Sequence, residues 1–169
     1  KDLIASIKAQ DFPQEKIEIL VVTEGDSEQA KGIGIKRAKG EICAMFCADN
    51  FINGKNTFTY IEGLFRVNKL MVGLYSDHYA LINHDNSLNR YFSLVGGNDP
   101  ICNFLGKNDR QSYIEFDGQK VFDYMVFSKR IPSIGCNGTF YWREKLLKAD
   151  LDHYYPMDCA TDLIKSGEN

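Results

Sequence analysis

The stretch that most constrains this chain is Ile42–Asn50, ICAMFCADN, an apolar run that stops on a carboxylate, Asp49. A strand buried on both faces reads as an unbroken hydrophobic run, so Ile42–Cys47 is expected to be an interior strand. In open α/β sheets ligands gather beyond the carboxyl ends of the strands. Asp49 stands at such an end, where a hard oxygen donor suits Mg2+ or Mn2+ beside a phosphate. The residue alone also fits a turn opener or the cap of the next helix.

The flanking pattern extends this to an α/β fold. Leu3, Ile4 and Ile7 mark one helical face behind Asp2, and Asp11-Phe12-Pro13 ends it. Ile17–Val22 (IEILVV) reads as a strand, and Thr23–Asp26 (TEGD) as a tight acidic loop at its end. A helix capped by Ser27 follows through Gln29, Ala30, Ile33, Ile35 and Ala38, and Gly40 stops it. Strand, loop, helix, strand predicts parallel strands joined by a right-handed crossover, which sets the acidic loop and Asp49 at one sheet edge. Phe58, Ile61, Leu64 and Phe65 give a further helical face, and Leu70–Tyr75 a third strand. Ser76 to about Ile131 is irregular. Ser133–Tyr141 is a glycine-punctuated strand, and short helices begin at Trp142 and Asp158.

At 169 residues, 44% of them hydrophobic, the chain is one domain with a real core. A net charge of −3 argues against nucleic acid or an anionic membrane as an electrostatic partner. No run approaches a transmembrane span. Cys43, Cys47, Cys102, Cys136 and Cys159 are odd in number and contain no CxxC pair, as expected of reduced thiols in a cytoplasmic protein. The chain opens inside a helix, whereas α/β domains ordinarily begin on a strand. A first strand is therefore expected to precede Lys1, and the end after Asn169 also looks cut.

Three stretches, in this order, resemble the inverting family-2 glycosyltransferases of bacterial type. The first is IEILVVTEGDSEQAKGIGIKRAKGEICAMFCADN, where Ala38-Lys39-Gly40-Glu41 and Cys47-Ala48-Asp49 hold the places of the A-x-G-E step and the D-x-D motif. The second is Ile134–Phe140 (IGCNGTF), similar to the glycine-rich segment that precedes a helix start, with Arg143-Glu144 following. The third is Met157–Leu163 (MDCATDL), similar to the acidic segment that carries the acceptor base. Asn89–Phe92 through Gly106–Arg110 is also associated with bacterial members, without a role.

The resemblance implies a GT-A, Rossmann-like fold: a mostly parallel sheet flanked by helices. Residues 1–75 would be the nucleotide-binding half and residues 76–169 the acceptor side. It implies transfer of a sugar, with inversion, from a UDP- or GDP-type donor to a hydroxyl on a glycan or lipid-linked acceptor, as in polysaccharide biosynthesis at the inner face of the plasma membrane. Peripheral membrane association would follow from a lipid-linked acceptor. Glu24 falls where the family hydrogen-bonds the nucleotide base. Asp26 is a weaker candidate in the same loop, with helix capping as its other reading. Lys31 and Lys36 are candidates for the diphosphate, or solvated helix-face lysines. Asp49 would hold the Mg2+ or Mn2+ that bridges the phosphates, and Cys47, a soft ligand, departs from the family's first acidic position. Asn137 and Gly138 would meet donor or acceptor through backbone groups. Asp158 would be the base, with Asp162 as runner-up and helix capping as its plain alternative.

Two other groupings carry less. Asp77, His78, His84 and Asp85 match no zinc spacing and read as a polar loop, and nothing in the sequence joins Cys136 to His153. Tyr154 and Tyr155 fit core packing as well as stacking on an acceptor sugar. The rival functions are a sugar-nucleotide-binding module without turnover, which Cys47 favours, and a nucleotidyltransferase, whose glycine-rich loop would lie upstream of Lys1.

Overall fold

Alternation along two short strands organises the core. In the strand Ile42–Met45, Cys43 and Met45 point to one side and Ile42 to the other, with Phe46 just past its end; in Thr139–Trp142, Tyr141 faces one way and Phe140 and Trp142 the opposite way. This is the period of two that a pleated strand imposes. The structure is a computed structural model and describes residues 2–75, 80–95, 112–123 and 138–148. Its elements are α1 (Asp2–Lys8), a 3-10 turn (Gln14–Lys16), α2 (Ser27–Arg37), β1 (Ile42–Met45), α3 (Thr57–Val67), β2 (Gly73–Tyr75), α4 (Ser87–Val95), β3 (Ser112–Phe116), β4 (Gln119–Asp123), β5 (Thr139–Trp142) and α5 (Arg143–Leu146). Two compact units result, Lys1–Leu74 with Cys136–Asn169, and Tyr75–Gly135.

In the first unit, a sheet of order β1-β5-β2 is covered on both faces. Ile35 of α2 and Leu146 of α5 pack with Cys43, Met45 and Tyr141. Ile61 and Phe65 of α3 pack with Phe140, bordered by Ile42, Phe46, Leu74 and Trp142. β1 and β5 are antiparallel, with Cys43 opposite Tyr141 and Met45 opposite Thr139. Burial raises the Cys43 thiol above its ordinary range, an effect that Arg143 partly opposes, so this cysteine stays a neutral packing group. Cys47 likewise forms no disulfide among the described residues.

The run Ile17–Val22 departs from expectation. It forms no strand, and no ladder joins it to β1 among the described residues. Ile19, Leu20 and Val21 are exposed. β-propensity expresses how well side chains fit a pleated surface, and it needs a neighbouring strand to take effect. What holds the run is α2 and the turn after it. A Cβ at Gly34 would lie 3.6 Å from the Val22 side chain, so the run passes close to α2, and the Glu18 carboxylate accepts from the Lys39 N–H at 2.7 Å. The third strand is shorter than expected, Gly73–Tyr75 rather than Leu70–Tyr75.

At Gly73 the ring of Tyr141 occupies the place of a side chain: a Cβ there would lie 2.5 Å from ring atoms Cδ1 and Cε1. Tyr141 is itself buried, so the ring has little room to yield. Gly73→Ala is therefore expected to lower stability by about 1–3 kcal/mol through overpacking. The check is a reduced urea midpoint at unchanged slope.

The second unit contains a β-hairpin within the stretch that the sequence pattern leaves irregular. β3 and β4 pair antiparallel with Phe116 opposite Gln119. The two loop residues, Asp117 and Gly118, both have positive φ, 49° and 71°. That is the primed two-residue turn whose twist matches the strands, and Asp-Gly is a preferred pair for it. Asn86 caps α4, its Oδ1 accepting from the Asn89 N–H at 2.8 Å, while Asp85 accepts from the Asn86 N–H and the Asn89 side chain. Asp85 is thus part of a helix entrance, in keeping with a polar loop. His78 and Asp77 lie outside the described residues.

Candidate functional site

The candidate site is the carboxyl end of β1. After Met45 the chain turns at once: the Asn50 N–H donates to the Cys47 carbonyl at 3.1 Å, and the Asn50 side-chain amide donates to Asp49 Oδ1 at 2.9 Å. Asp49 is exposed, and its Oδ2 has no hydrogen bond among the described residues. A carboxylate steadied through one oxygen and open at the other suits a hard cation that takes its remaining ligands from phosphate and water. Among the described residues no three His, Cys, Asp or Glu side chains gather to hold a metal by themselves.

A second expected residue comes to the same strand end. The Gly138 N–H donates to the Met45 carbonyl at 2.8 Å. Gly138 has φ +69°, which a side chain would strain, and the glycine lets the segment entering β5 close over β1. Phe46 and Phe140 pack edge to face beside it, ring centres 5.7 Å apart. The hydrogen bond to Met45 engages the Gly138 N–H, so among its backbone groups the carbonyl is the one left for a ligand. Asn137 and Asp158, with Asp162, lie outside the described residues.

The acidic loop is arranged differently from its sequence reading. Asp26 rather than Ser27 caps α2: its Oδ1 accepts from the Gln29 N–H at 2.9 Å, and Gln29 Oε1 accepts from the Asp26 N–H at 3.2 Å. This is a reciprocal capping box, and it gives Asp26 the structural role that was its alternative. Glu24 forms a two-pronged pair with Arg37, at 3.1 Å to Oε1 and 2.7 Å to Oε2. The Arg37 guanidinium, by hydrogen bond first and charge second, holds the Glu24 carboxyl below its ordinary range. Each carboxylate oxygen keeps further lone pairs, so Glu24 can accept a base imide N–H while paired. No hydrogen bond or ion pair joins Glu24 to Asp49. Lys31 is half-buried on α2 and Lys36 stands near that helix's end.

Because pairing depresses Glu24, whatever the pair contributes to stability is present above the unfolded carboxyl's range and is lost as the pH falls through the folded value. The pair is exposed and salt-screened, so it adds little to stability. Arg37→Met is expected to return the Glu24 carboxyl to its ordinary range, read as an upward shift of its side-chain carbon titration by NMR.

Sequence reasoning misses Arg37, Ser6 of α1 and Gln10 in the turn after α1. No local pattern links Arg37 to Glu24. Gln10 did carry a signal: it falls three residues after Ile7 on the apolar face of α1, and a polar residue in that phase needs partners if it is buried.

Comparison of the chain with protein-family models, with curated proteins and with solved structures finds no match. Among the described residues no helix is long and apolar enough to cross a membrane.

Proposed function

We propose that this chain is the catalytic domain of an inverting glycosyltransferase that uses a nucleoside-diphosphate sugar. The observation that carries the reading is the Gly138–Met45 hydrogen bond, which brings the segment entering β5 to the end of the strand that leads into Asp49. Two of the sequence stretches that resemble the family are thereby joined by a backbone hydrogen bond, which supports the reading.

In this reading Glu24 accepts from the nucleotide base and Asp49 holds the divalent cation beside the diphosphate. When bound, the cation offsets charge on the departing phosphate oxygen. Asp158 accepts the proton of the acceptor hydroxyl as that oxygen bonds to C1 of the sugar. The C1–phosphate bond breaks on the opposite face, its electron pair leaves with the nucleoside diphosphate, and the anomeric configuration inverts. The centre passes through oxocarbenium character, as in glycoside hydrolysis. A UDP- or GDP-sugar as donor, a glycan or lipid-linked hydroxyl as acceptor, and a GT-A sheet completed with parallel strands belong to the same proposal, as does work at the cytoplasmic membrane face.

The test is a screen of nucleotide sugars against pooled hydroxyl acceptors, with Mn2+ or with chelator. A new glycosidic bond formed together with free nucleoside diphosphate supports the reading. One specific feature favours a second reading, a sugar-nucleotide-binding module: Cys47 stands where a second carboxylate is expected. Tight Mn2+-dependent donor binding with no product from any pairing would establish that reading instead.

A further inference from the structure

We infer that Gln10, on the turn that ends α1, is a positioning residue for the Asp49 loop. The inference rests on the glycosyltransferase reading for its ligand, and on hydrogen bonds alone for its mechanics. Gln10 is buried, 5% exposed, and its side-chain amide is used in full. Nε2 donates to the Gly54 carbonyl at 2.7 Å and to the Ser6 carbonyl at 3.2 Å, and Oε1 accepts from the Phe58 N–H at 3.3 Å. That last bond caps α3 from the turn after α1, since Asn56 at the N-cap position makes no side-chain cap of its own.

Neighbouring bonds run parallel to it. The Ile52 N–H donates to Ser6 Oγ at 2.9 Å, the Asp11 N–H to the Lys55 carbonyl at 2.7 Å, and Thr59 Oγ1 to the Asp11 carbonyl at 2.9 Å. Residues 52–59 are thus fastened to residues 6–11 along their length, with Phe12 packed edge to face on Phe58. Asp49 is three residues before the first fastened position. Its turn is held at one end by β1 and at the other by this clamp, so the carboxylate is presented by a loop already fixed before a ligand arrives. Groups that hydrogen-bond a metal-holding carboxylate directly typically change metal affinity 10–100-fold when removed; Gln10 acts further back, through Gly54 and Phe58, so the lower end of that range is expected.

The experiment uses Gln10→Met, which keeps the length and removes every amide hydrogen bond, with Ser6→Ala as a milder variant that removes the Ile52 bond should Gln10→Met fail to fold. Hydrogen exchange is read at the Ile52, Phe58 and Asn50 amides, and binding is measured for Mn2+–UDP and for uridine without metal. Faster exchange at all three amides, an affinity for Mn2+–UDP about tenfold weaker and unchanged uridine binding support the inference, because general destabilisation would weaken both ligands. Unlocked Ile52 and Phe58 with unchanged Mn2+–UDP affinity would overturn it. If the wild-type chain binds no Mn2+–UDP, the transferase reading fails instead. Positioning is then judged at Asn50 alone, kept if that amide is unlocked and overturned if it stays protected.

Discussion

Asp49→Ala is expected to abolish Mn2+-dependent transfer while leaving the fold as stable as the wild type. The two halves of that expectation have separate causes. Asp49 is exposed and its one described side-chain contact is with the neighbouring Asn50 amide, so its removal uncovers no buried polar group. Surface changes of this kind usually stay within about ±0.5 kcal/mol. In the proposed reaction, however, Asp49 is the described side chain that would hold the cation against the diphosphate. Removing a preorganised electrostatic partner of developing charge typically costs about 10²–10³ in rate, and loss of the cation itself would exceed that. Asp49→Asn should be intermediate, because an amide oxygen remains a hard donor without the charge. Activity of Asp49→Ala equal to wild type in Mn2+, at matched thermal stability, would remove Asp49 from the mechanism.

Phe65→Ala is expected to be the most damaging of the core changes, at about 3–5 kcal/mol. Phe65 is fully buried, at 0% exposure, and lies between α3 and the sheet. Its ring meets Trp142 edge to face at 5.1 Å, so truncation removes an aromatic pair as well as opening a cavity. The surroundings have little means of collapsing into that space, because Phe140 is pinned by its own edge-to-face contacts with Phe46 and Phe58. Against a total stability of roughly 5–15 kcal/mol for a folded domain, such a loss brings the chain close to unfolding at ambient temperature. Phe65→Leu, which keeps most of the volume, should cost far less. A urea midpoint that falls steeply for Ala and slightly for Leu, at a common slope, is the expected result; equal midpoints would mean that α3 does not close the sheet.

Features held by short-range chemistry were legible in the sequence. α2 could be read from its capping position and the Gly40 stop, although its apolar residues are not gathered on one face, and the capping box of Asp26 with Gln29 shifts its start by a single residue. β1 could be read as a strand from its apolar run, but not as an interior one: among the described strands it stands at the end of the sheet, antiparallel to β5, with Ala44 exposed. The Asp117-Gly118 hairpin was equally local, and the pair is a sufficient signal when flanked by strand-forming residues; it is hidden only when the surrounding segment is read for periodicity alone. Ile17–Val22 is the reverse case, a strong strand composition with no described partner to form a ladder.

The site was legible only in part, for the same reason. The sequence marks Asp49 and Gly138 separately, one by the end of a run and the other by its glycines, but cannot show that Gly138 donates to Met45. The pairing of Glu24 with Arg37 and the clamp made by Gln10 are products of tertiary approach between segments that share no pattern. Such contacts leave a trace only where a polar residue falls in an apolar phase, as Gln10 does.

The central claim is spatial: acidic residues remote in sequence serve one ligand. Mn2+–UDP bound to the isotopically labelled chain tests it, because the paramagnetic ion broadens the amide signals nearest to it. The account predicts that the Asp49, Gly138 and Asp158 amides are broadened together, and that Mg2+–UDP restores all three. Broadening at Asp49 with an Asp158 signal as sharp as in the Mg2+ complex would contradict it.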